Sequence, residues 1–222
     1  MDRPQAISVL IVDDHVVARK GLRAMLDTDL RLEVVGEASD GAEAIRLVRA
    51  LRPHVVLMDV RMPRLDGLAA TRAIKEEFPT TVVAVVTNYN DPALVVAAVE
   101  AGASGYLLKD ASAELLGNAV AAITSGGVLI EAPLLRDALG RIAAERVEAG
   151  VPKLTAEDVG LTHRDMEVLE RLAEGLTNRE IGEQLGFSEP TIKKEVQSII
   201  GKLNASDRTH AATRALRLGL IQ

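Results

Sequence analysis

Four charged side chains close three short apolar runs, and their types suit a site that handles a phosphoryl group. Val9-Leu10-Ile11-Val12 runs into Asp13-Asp14, Val55-Val56-Leu57-Met58 into Asp59, and Gly105-Tyr106-Leu107-Leu108 into Lys109. A further run, Val82-Val83-Ala84-Val85-Val86, closes on Thr87. A hard cation such as Mg2+ takes oxygen ligands and keeps several waters. The adjacent acids Asp13 and Asp14 supply one direct ligand and one through water. Asp59 has one oxygen for the metal and one to attack phosphorus, which yields an acyl phosphate. Lys109 offers a point charge to a phosphoryl oxygen, and the Thr87 hydroxyl offers a hydrogen bond to another. Three carboxylates without a cation repel one another, so at least one is expected to hold its proton more tightly than usual.

Taken one at a time, these residues have plainer uses. An aspartate after a strand often caps the next helix, as Asp13 or Asp14 would, and Lys109 suits a solvated loop. His15 reads as a helix-start residue. Five such groups at the ends of the first, third, fourth and fifth strands of one sheet favour a single site, because ligands bind outside the carboxyl ends of strands in open parallel sheets.

The elements that must position this site are legible as an alternation. Strand-like runs fall at 6–12, 32–37, 54–59, 81–86 and 104–108, and amphipathic stretches at 15–27, 41–51, 66–77, 91–101 and 112–124. Apolar residues such as Ala44, Ile45, Leu47, Val48 and Leu51 recur there at helical spacing. Five βα units in a row predict an α/β fold with a doubly wound parallel sheet in the flavodoxin-like order. From Gly126-Gly127 to about Gly160 the pattern loosens. Pro133, Gly150 and Pro152 bracket a charged helical stretch, Leu134 to Glu148, which reads as a linker with one helix. Four short helical patterns follow, near 162–174, 177–185, 188–203 and 206–218. The expected domains are therefore 1–125, a linker over 126–157, and an all-α domain over 158–222.

Composition narrows the function classes. The chain has 222 residues, 48% of them hydrophobic and 26% charged, which is ordinary for a globular protein. It has no cysteine, so disulfides and thiolate metal sites are excluded. No apolar run approaches a membrane span, and Met1-Asp2-Arg3-Pro4 does not begin a signal peptide. A cytoplasmic location without a membrane partner is expected. The net charge of −6 does not advertise nucleic-acid binding, so a DNA role must be argued locally.

Residues 6–125 resemble a response-regulator receiver domain. The matching pieces are Val12-Asp13-Asp14-His15, Met58-Asp59-Val60-Arg61-Met62-Pro63 with Asp66-Gly67, Thr87, and Gly102-Ala103-Ser104-Gly105-Tyr106-Leu107-Leu108-Lys109. The resemblance implies that Asp59 is the phosphoacceptor for a sensor histidine kinase. It implies that Asp13 and Asp14 bind Mg2+ with Asp59 and the backbone carbonyl of Arg61, and that Lys109 contacts the phosphoryl group. Thr87 and Tyr106 match the switch pair. A phosphate adds roughly −1.5 to −2 charge; drawing the Thr87 hydroxyl toward it vacates space into which Tyr106 swings.

The C-terminal patterns carry capping signals. Thr162 and Thr177 each have an acid three residues on, and Ser188 precedes Pro190 in a first turn. Gly186 supplies the turn that a helix-turn-helix requires. Projected at 100° per residue, the third pattern places Ile192, Val196, Ile199, Ile200 and Leu203 on one side. Lys193, Lys194, Gln197 and Ser198 fall on the other, and Glu195 lies at the flank, near Lys202. Two lysines and an amide suit phosphates and base edges in a major groove. Thr177, Asn178 and Arg179, at a helix N-terminus, suit a phosphate. A lysine-bearing face is also often just solvated, and residues 151–222 hold 10 Lys and Arg against 11 Asp and Glu, a net of −1. Periodicity alone leaves the two readings level.

Residues 161–218 are similar to the LuxR-type helix-turn-helix of NarL/FixJ-family regulators. The pieces are Leu161-Thr162 with Glu167-Val168-Leu169, Gly175-Leu176-Thr177-Asn178-Arg179-Glu180-Ile181, and Thr191-Ile192-Lys193. The similarity implies double-stranded DNA as partner, contacted by Lys193, Lys194 and Gln197, with Thr177, Asn178, Arg179, Ser188 and Thr191 in the same interface. It also implies a homodimer promoted by phosphorylation, with Ala211, Ala212, Ala215 and Leu216 on the dimerisation surface; the plainer use of these four is packing against their own domain. Glu195 stands where the family usually has histidine. Gly182 and Gly201 replace better helix formers, at about 1 kcal/mol each.

The reading is a two-component response regulator and transcription regulator, not an enzyme. A haloacid-dehalogenase-type phosphatase would need a second acid two residues after Asp59, where this chain has Arg61. An alternative keeps the receiver but has the helical domain bind protein in place of DNA, as its acidic balance and Glu195 allow.

Overall fold

The computed structural model describes residues 6–124, 130, 138, 140–141, 154–205 and 207–221. The expected linker helix, Leu134 to Glu148, lies almost wholly outside them. Two compact units are present: residues 1–90 with 101–129, and residues 91–100 with 130–222.

The first unit carries a five-stranded parallel sheet of β1 (Ile7–Val12), β2 (Leu32–Ala38), β3 (Val55–Met58), β4 (Val82–Thr87) and β5 (Gly105–Leu108). Its order is β2-β1-β3-β4-β5, as the flavodoxin-like expectation requires. Between the strands in sequence run α1 (Val16–Leu26), α2 (Gly41–Leu51) and α3 (Gly67–Glu77), and α5 (Ala113–Thr124) follows the last; α4 (Pro92–Glu100), which follows β4 in sequence, belongs to the second unit. Residues of a strand alternate between faces. Val9, Ile11, Val55, Leu57, Ala84 and Val86 pack with Leu22 and Leu26 of α1 and Leu116, Val120 and Ile123 of α5. Leu10, Val12, Val56, Met58 and Val83 pack with Ala44 and Val48 of α2 and Ala70 and Ile74 of α3. Burying each of the Val, Leu, Ile and Met side chains among them contributes about 1.5–3 kcal/mol. Both faces are covered, which is why the strands read as continuous apolar runs.

Register brings the strand ends into line. Val12 pairs with Met58, Met58 with Val85, and Thr87 with Leu108. The ladder then continues one residue further: Asp59 N–H donates to the Val12 carbonyl at 2.8 Å and Lys109 N–H to the Thr87 carbonyl at 2.9 Å. So the residue after each run, not its last member, enters the site.

In the second unit, α6 (His163–Ala173), α7 (Asn178–Leu185), α8 (Glu189–Lys202) and α9 (Arg208–Leu218) follow a short 3-10 turn at Glu157–Val159. The capping signals hold. Thr162 with Asp165 and Thr177 with Glu180 each form a reciprocal capping box, and the Ser188 side chain accepts from Thr191 N–H. Gly186 ends α7 at φ 76°, a left-handed position that suits glycine. Val168, Leu169, Ile181, Ile192, Ile199 and Leu203 are buried.

Gly182 has a use that helix propensity does not show. A Cβ there would lie 2.5 Å from the Phe187 carbonyl oxygen, whereas one at Gly201 would meet open space. Gly182 lets the backbone of the turn close onto α7, and Phe187 N–H donates to the Gly182 carbonyl at 2.8 Å.

Candidate functional site

At the carboxyl end of the sheet, the Lys109 ammonium lies 2.6 Å from Asp13 Oδ2 and 2.9 Å from Asp59 Oδ2. Asp13 is fully buried and Asp59 is 5% exposed; Asp14 is half-buried. Val60 N–H donates to Asp59 Oδ1 at 2.8 Å. Carboxylate oxygens of Asp13, Asp14 and Asp59 and a ring nitrogen of His15 all lie within 4.8 Å of one another. The sequence had offered Asp13 or Asp14 as a cap, but α1 has no side-chain cap; His15 occupies the N-cap position, as a helix-start residue should.

Burial, helped by the Asp13 charge, raises the Asp59 carboxyl above the usual carboxylate range against the pull of Lys109 and Val60 N–H. Repulsion among three acids was the expected cause of one raised carboxyl; here burial is the larger cause and the Asp13 charge the smaller. Burial works to lower Lys109, but its hydrogen bonds to Asp13 and Asp59 outweigh that and raise it. The ammonium is held charged between two acids.

Asp59 is kept in place from behind by Gly67. A Cβ at position 67 would sit 1.8 Å from the Asp59 carbonyl oxygen, so only glycine lets α3 start so close. Asp66 caps that helix on Ala69 N–H. Thr87 is fully buried at the end of β4, and its hydroxyl accepts from Tyr89 N–H at 3.4 Å. Tyr106 is 2% exposed and donates to the Tyr89 carbonyl at 2.6 Å. That bond satisfies the phenol hydroxyl where the ring is buried.

A cleft of about 420 Å³ opens over Asp59 and Lys109, lined also by His15, Val17, Arg61, Asn88 and Tyr89. Two features of it were missed from sequence. His15 Nδ1 lies 2.7 Å from Asp14 Oδ1, and the Arg61 guanidinium stacks 4.2 Å from the centroid of the Tyr89 ring. Only the Arg61 carbonyl had been singled out. Its spacing two residues past Asp59 was the one available signal.

In the helical unit, Lys193, Lys194, Gln197 and Ser198 are exposed along α8, with Ile192, Val196 and Ile199 buried opposite, as the projection required. Ser188 and Thr191 share a hydroxyl–hydroxyl bond of 2.8 Å. At the start of α7, the Thr177 amide and hydroxyl both donate to Glu180 at 2.7 Å, so that amide is occupied. Asn178 Oδ1 accepts from the buried Arg208 at 3.1 Å, while Arg179 is exposed, 3.7 Å from Glu183. Glu195 does lie at the flank, but its partner is Arg164 at 2.5 Å. Lys202 pairs with Asp165 at 2.7 Å. The linear projection gave Glu195 its nearest charge on the same helix; packing of α6 against α8 supplied a closer one.

Residues 9–121 match the model of the response regulator receiver domain, and residues 159–215 that of the luxR family of bacterial regulatory proteins. The transcriptional regulatory protein LiaR of Bacillus subtilis (strain 168) is 40% identical over 215 residues, spanning 97% of this chain and 99% of LiaR. The chain belongs to the luxR-family response regulators. Among solved structures, the response regulator ChrA of a heme-sensing two-component system is 36% identical with a TM-score of 0.52, covering 97% of this chain and 99% of that one. A structure of two RcsB dimers bound to two parallel DNAs is 27% identical with a TM-score of 0.55, covering 98% and 94%.

For this response regulator, then, the strand ends bring Asp13, Asp14, Asp59 and Lys109 together. Thr87 is buried at the end of β4, and the α8 face belongs to the second unit. Among the described residues no helix is long and apolar enough to cross a membrane.

Proposed function

We propose that this response regulator takes a phosphoryl group on Asp59 from a sensor histidine kinase and regulates transcription through DNA bound by its helical unit. In this reading residues 1–125 are the receiver, 126–157 the linker and 158–222 the DNA-binding domain. The observation that carries it is the Lys109 ammonium held between Asp13 and Asp59 at 2.6 and 2.9 Å. The oxygen donors of Asp13, Asp14 and Asp59 fit a hard divalent cation. These residues, with the Arg61 carbonyl, would hold Mg2+, which when bound supplies positive charge against phosphoryl oxygens.

An Asp59 oxygen forms the new O–P bond as the N–P bond of the donor phosphohistidine breaks, and the electron pair stays on the imidazole. Val60 N–H keeps the carboxylate aimed. Lys109 shifts from Asp59 to a phosphoryl oxygen, and the Thr87 hydroxyl turns from Tyr89 N–H toward another. Tyr106 then takes the space that the Thr87 hydroxyl vacates. Moving an equilibrium from mostly off to mostly on takes roughly 5.5 kcal/mol of differential stabilisation. The RcsB dimers on DNA support a DNA-bound homodimer, and LiaR, a transcriptional regulatory protein, supports the role in transcription; phosphorylation would promote the dimer. Lys193, Lys194 and Gln197 form the contact face, with Arg179, Ser188 and Thr191 at its edge; the Thr177 amide and hydroxyl and the Asn178 Oδ1 are engaged within the fold. A cytoplasmic location fits this role.

The test is labelling with acetyl phosphate followed by a gel shift at stated salt. Label is expected on the wild-type chain with Mg2+, and none with chelator or in Asp59→Asn. DNA binding is expected to rise with label and to fall in Lys193→Ala with Lys194→Ala. Label on Asp59→Asn would overturn the receiver assignment; binding unchanged in the lysine variant would overturn the DNA face.

A further inference from the structure

Arg164, near the start of α6, joins three elements. Its guanidinium carbon lies 3.5 Å from the centroid of the Phe187 ring, in the turn between α7 and α8. Its Nε lies 2.5 Å from Glu195 Oε1, on α8. Phe187 is a large apolar side chain left 40% exposed, and its face is occupied by this cation. A stack and an ion pair together remove most of the rotamer freedom of an arginine, so the planar fork is already oriented. Yet the side chain remains 37% exposed, and neither terminal amino group donates a hydrogen bond among the described residues.

Glu195 lies at the flank of the face that Lys193, Lys194, Gln197 and Ser198 present. A helix seated in a major groove has the sugar–phosphate backbone along its flanks, and contacts there set register without reading sequence. A guanidinium with both terminal amino groups free matches phosphate oxygens bidentately.

We infer that Arg164 contacts a backbone phosphate of double-stranded DNA, positioned for it by Phe187 and Glu195. The inference rests on the DNA-binding reading above and adds to it a residue outside α8. It also gives Glu195 a role, since its Oε1 is held by Arg164.

The test is fluorescence anisotropy of the full chain, treated with acetyl phosphate and Mg2+, on a labelled mixed-sequence duplex over a series of potassium chloride concentrations. The decisive variant is Arg164→Gln with Glu195→Gln, which removes one charge of each sign and leaves the net charge unchanged. The slope of log affinity against log salt is expected to fall in magnitude by about 0.9, one phosphate contact, with the same weakening on any sequence. Arg164→Lys is expected to keep the wild-type slope, since an ammonium still neutralises a phosphate. If the double variant binds with wild-type slope and affinity, Arg164 serves only to neutralise Glu195 and the inference is overturned. A slope lowered by Lys193→Ala with Lys194→Ala but not by the double variant sinks this inference alone. A wild-type chain that binds no duplex sinks the DNA-binding reading with it.

Discussion

Replacing Lys109 by methionine keeps the length of the side chain and removes the charge that Asp13 and Asp59 share. The two carboxylates are then left buried without their common cation. Removing one partner of a buried ion pair costs about 3–5 kcal/mol. A second route gives a similar ceiling: protonating an ordinary carboxylate at pH 7 takes about three pKa units, or roughly 4 kcal/mol. Asp59 already holds its proton more tightly than usual because of burial, so it neutralises more readily and the loss falls below that ceiling. The expected destabilisation is about 2–4 kcal/mol at pH 7. Urea unfolding read by tyrosine fluorescence isolates the effect, because the chain has no tryptophan and both tyrosines, Tyr89 and Tyr106, lie in the unit that carries the sheet. The midpoint should drop by roughly 1–2 M. A carboxyl raised in the folded state binds more protons folded than unfolded, so stability falls as pH rises. The deficit should therefore shrink from pH 7 toward pH 5. Added Mg2+ should stabilise the variant more than the wild type, because the ammonium no longer competes for the same oxygens. A deficit under about 1 kcal/mol at pH 7, or one that grows toward pH 5, would refute the shared-cation account.

Gly67→Ala places a Cβ against the Asp59 carbonyl; the receiver is expected to lose more than about 2 kcal/mol in the same urea assay and to take little label from acetyl phosphate. Gly182→Ala and Gly201→Ala should move thermal stability in opposite directions, followed by circular dichroism. The first clashes with the Phe187 carbonyl, while the second meets open space and gains up to about 1 kcal/mol of helix propensity. Two gains would remove the close-approach argument for Gly182. Asp165 is opposed by burial but lowered overall by Lys202 and Thr162. Its stabilisation is present above the ordinary carboxylate pKa and is lost as pH falls through its lower folded value. Asp165→Asn should destabilise the helical unit at pH 7 and flatten its loss of stability below pH 4; an unchanged acid limb would count against the Lys202 pair.

Much of the site was legible because its residues end apolar runs, and a parallel sheet converts the end of a run into a place. Asp13, Asp59 and Lys109 needed only the strand order and in-line register to meet. The caps of α6, α7 and α8 were legible for a similar reason: an N-cap and its reciprocal acid are three residues apart, so the signal is local. Reading went wrong where the partner lay on another element. Glu195 was placed beside Lys202 along one helix, and packing gave it Arg164. Gly182 was counted as a weak helix residue, and the returning backbone at Phe187 made it a requirement.

The sequence by itself determined the alternation of strands and helices, the residue that follows each strand, the helix starts and the face of α8 that meets solvent. Each of these is set by periodicity or by neighbours within a few residues, where backbone geometry admits few choices. The tertiary structure alone decided distances between groups from different elements: the ammonium between two acids, the stack of Arg61 on Tyr89, the Arg164 fork on Phe187, and the rise in the Asp59 carboxyl. Those depend on burial and on which charges become neighbours when elements pack, and one-dimensional spacing carries no measure of either.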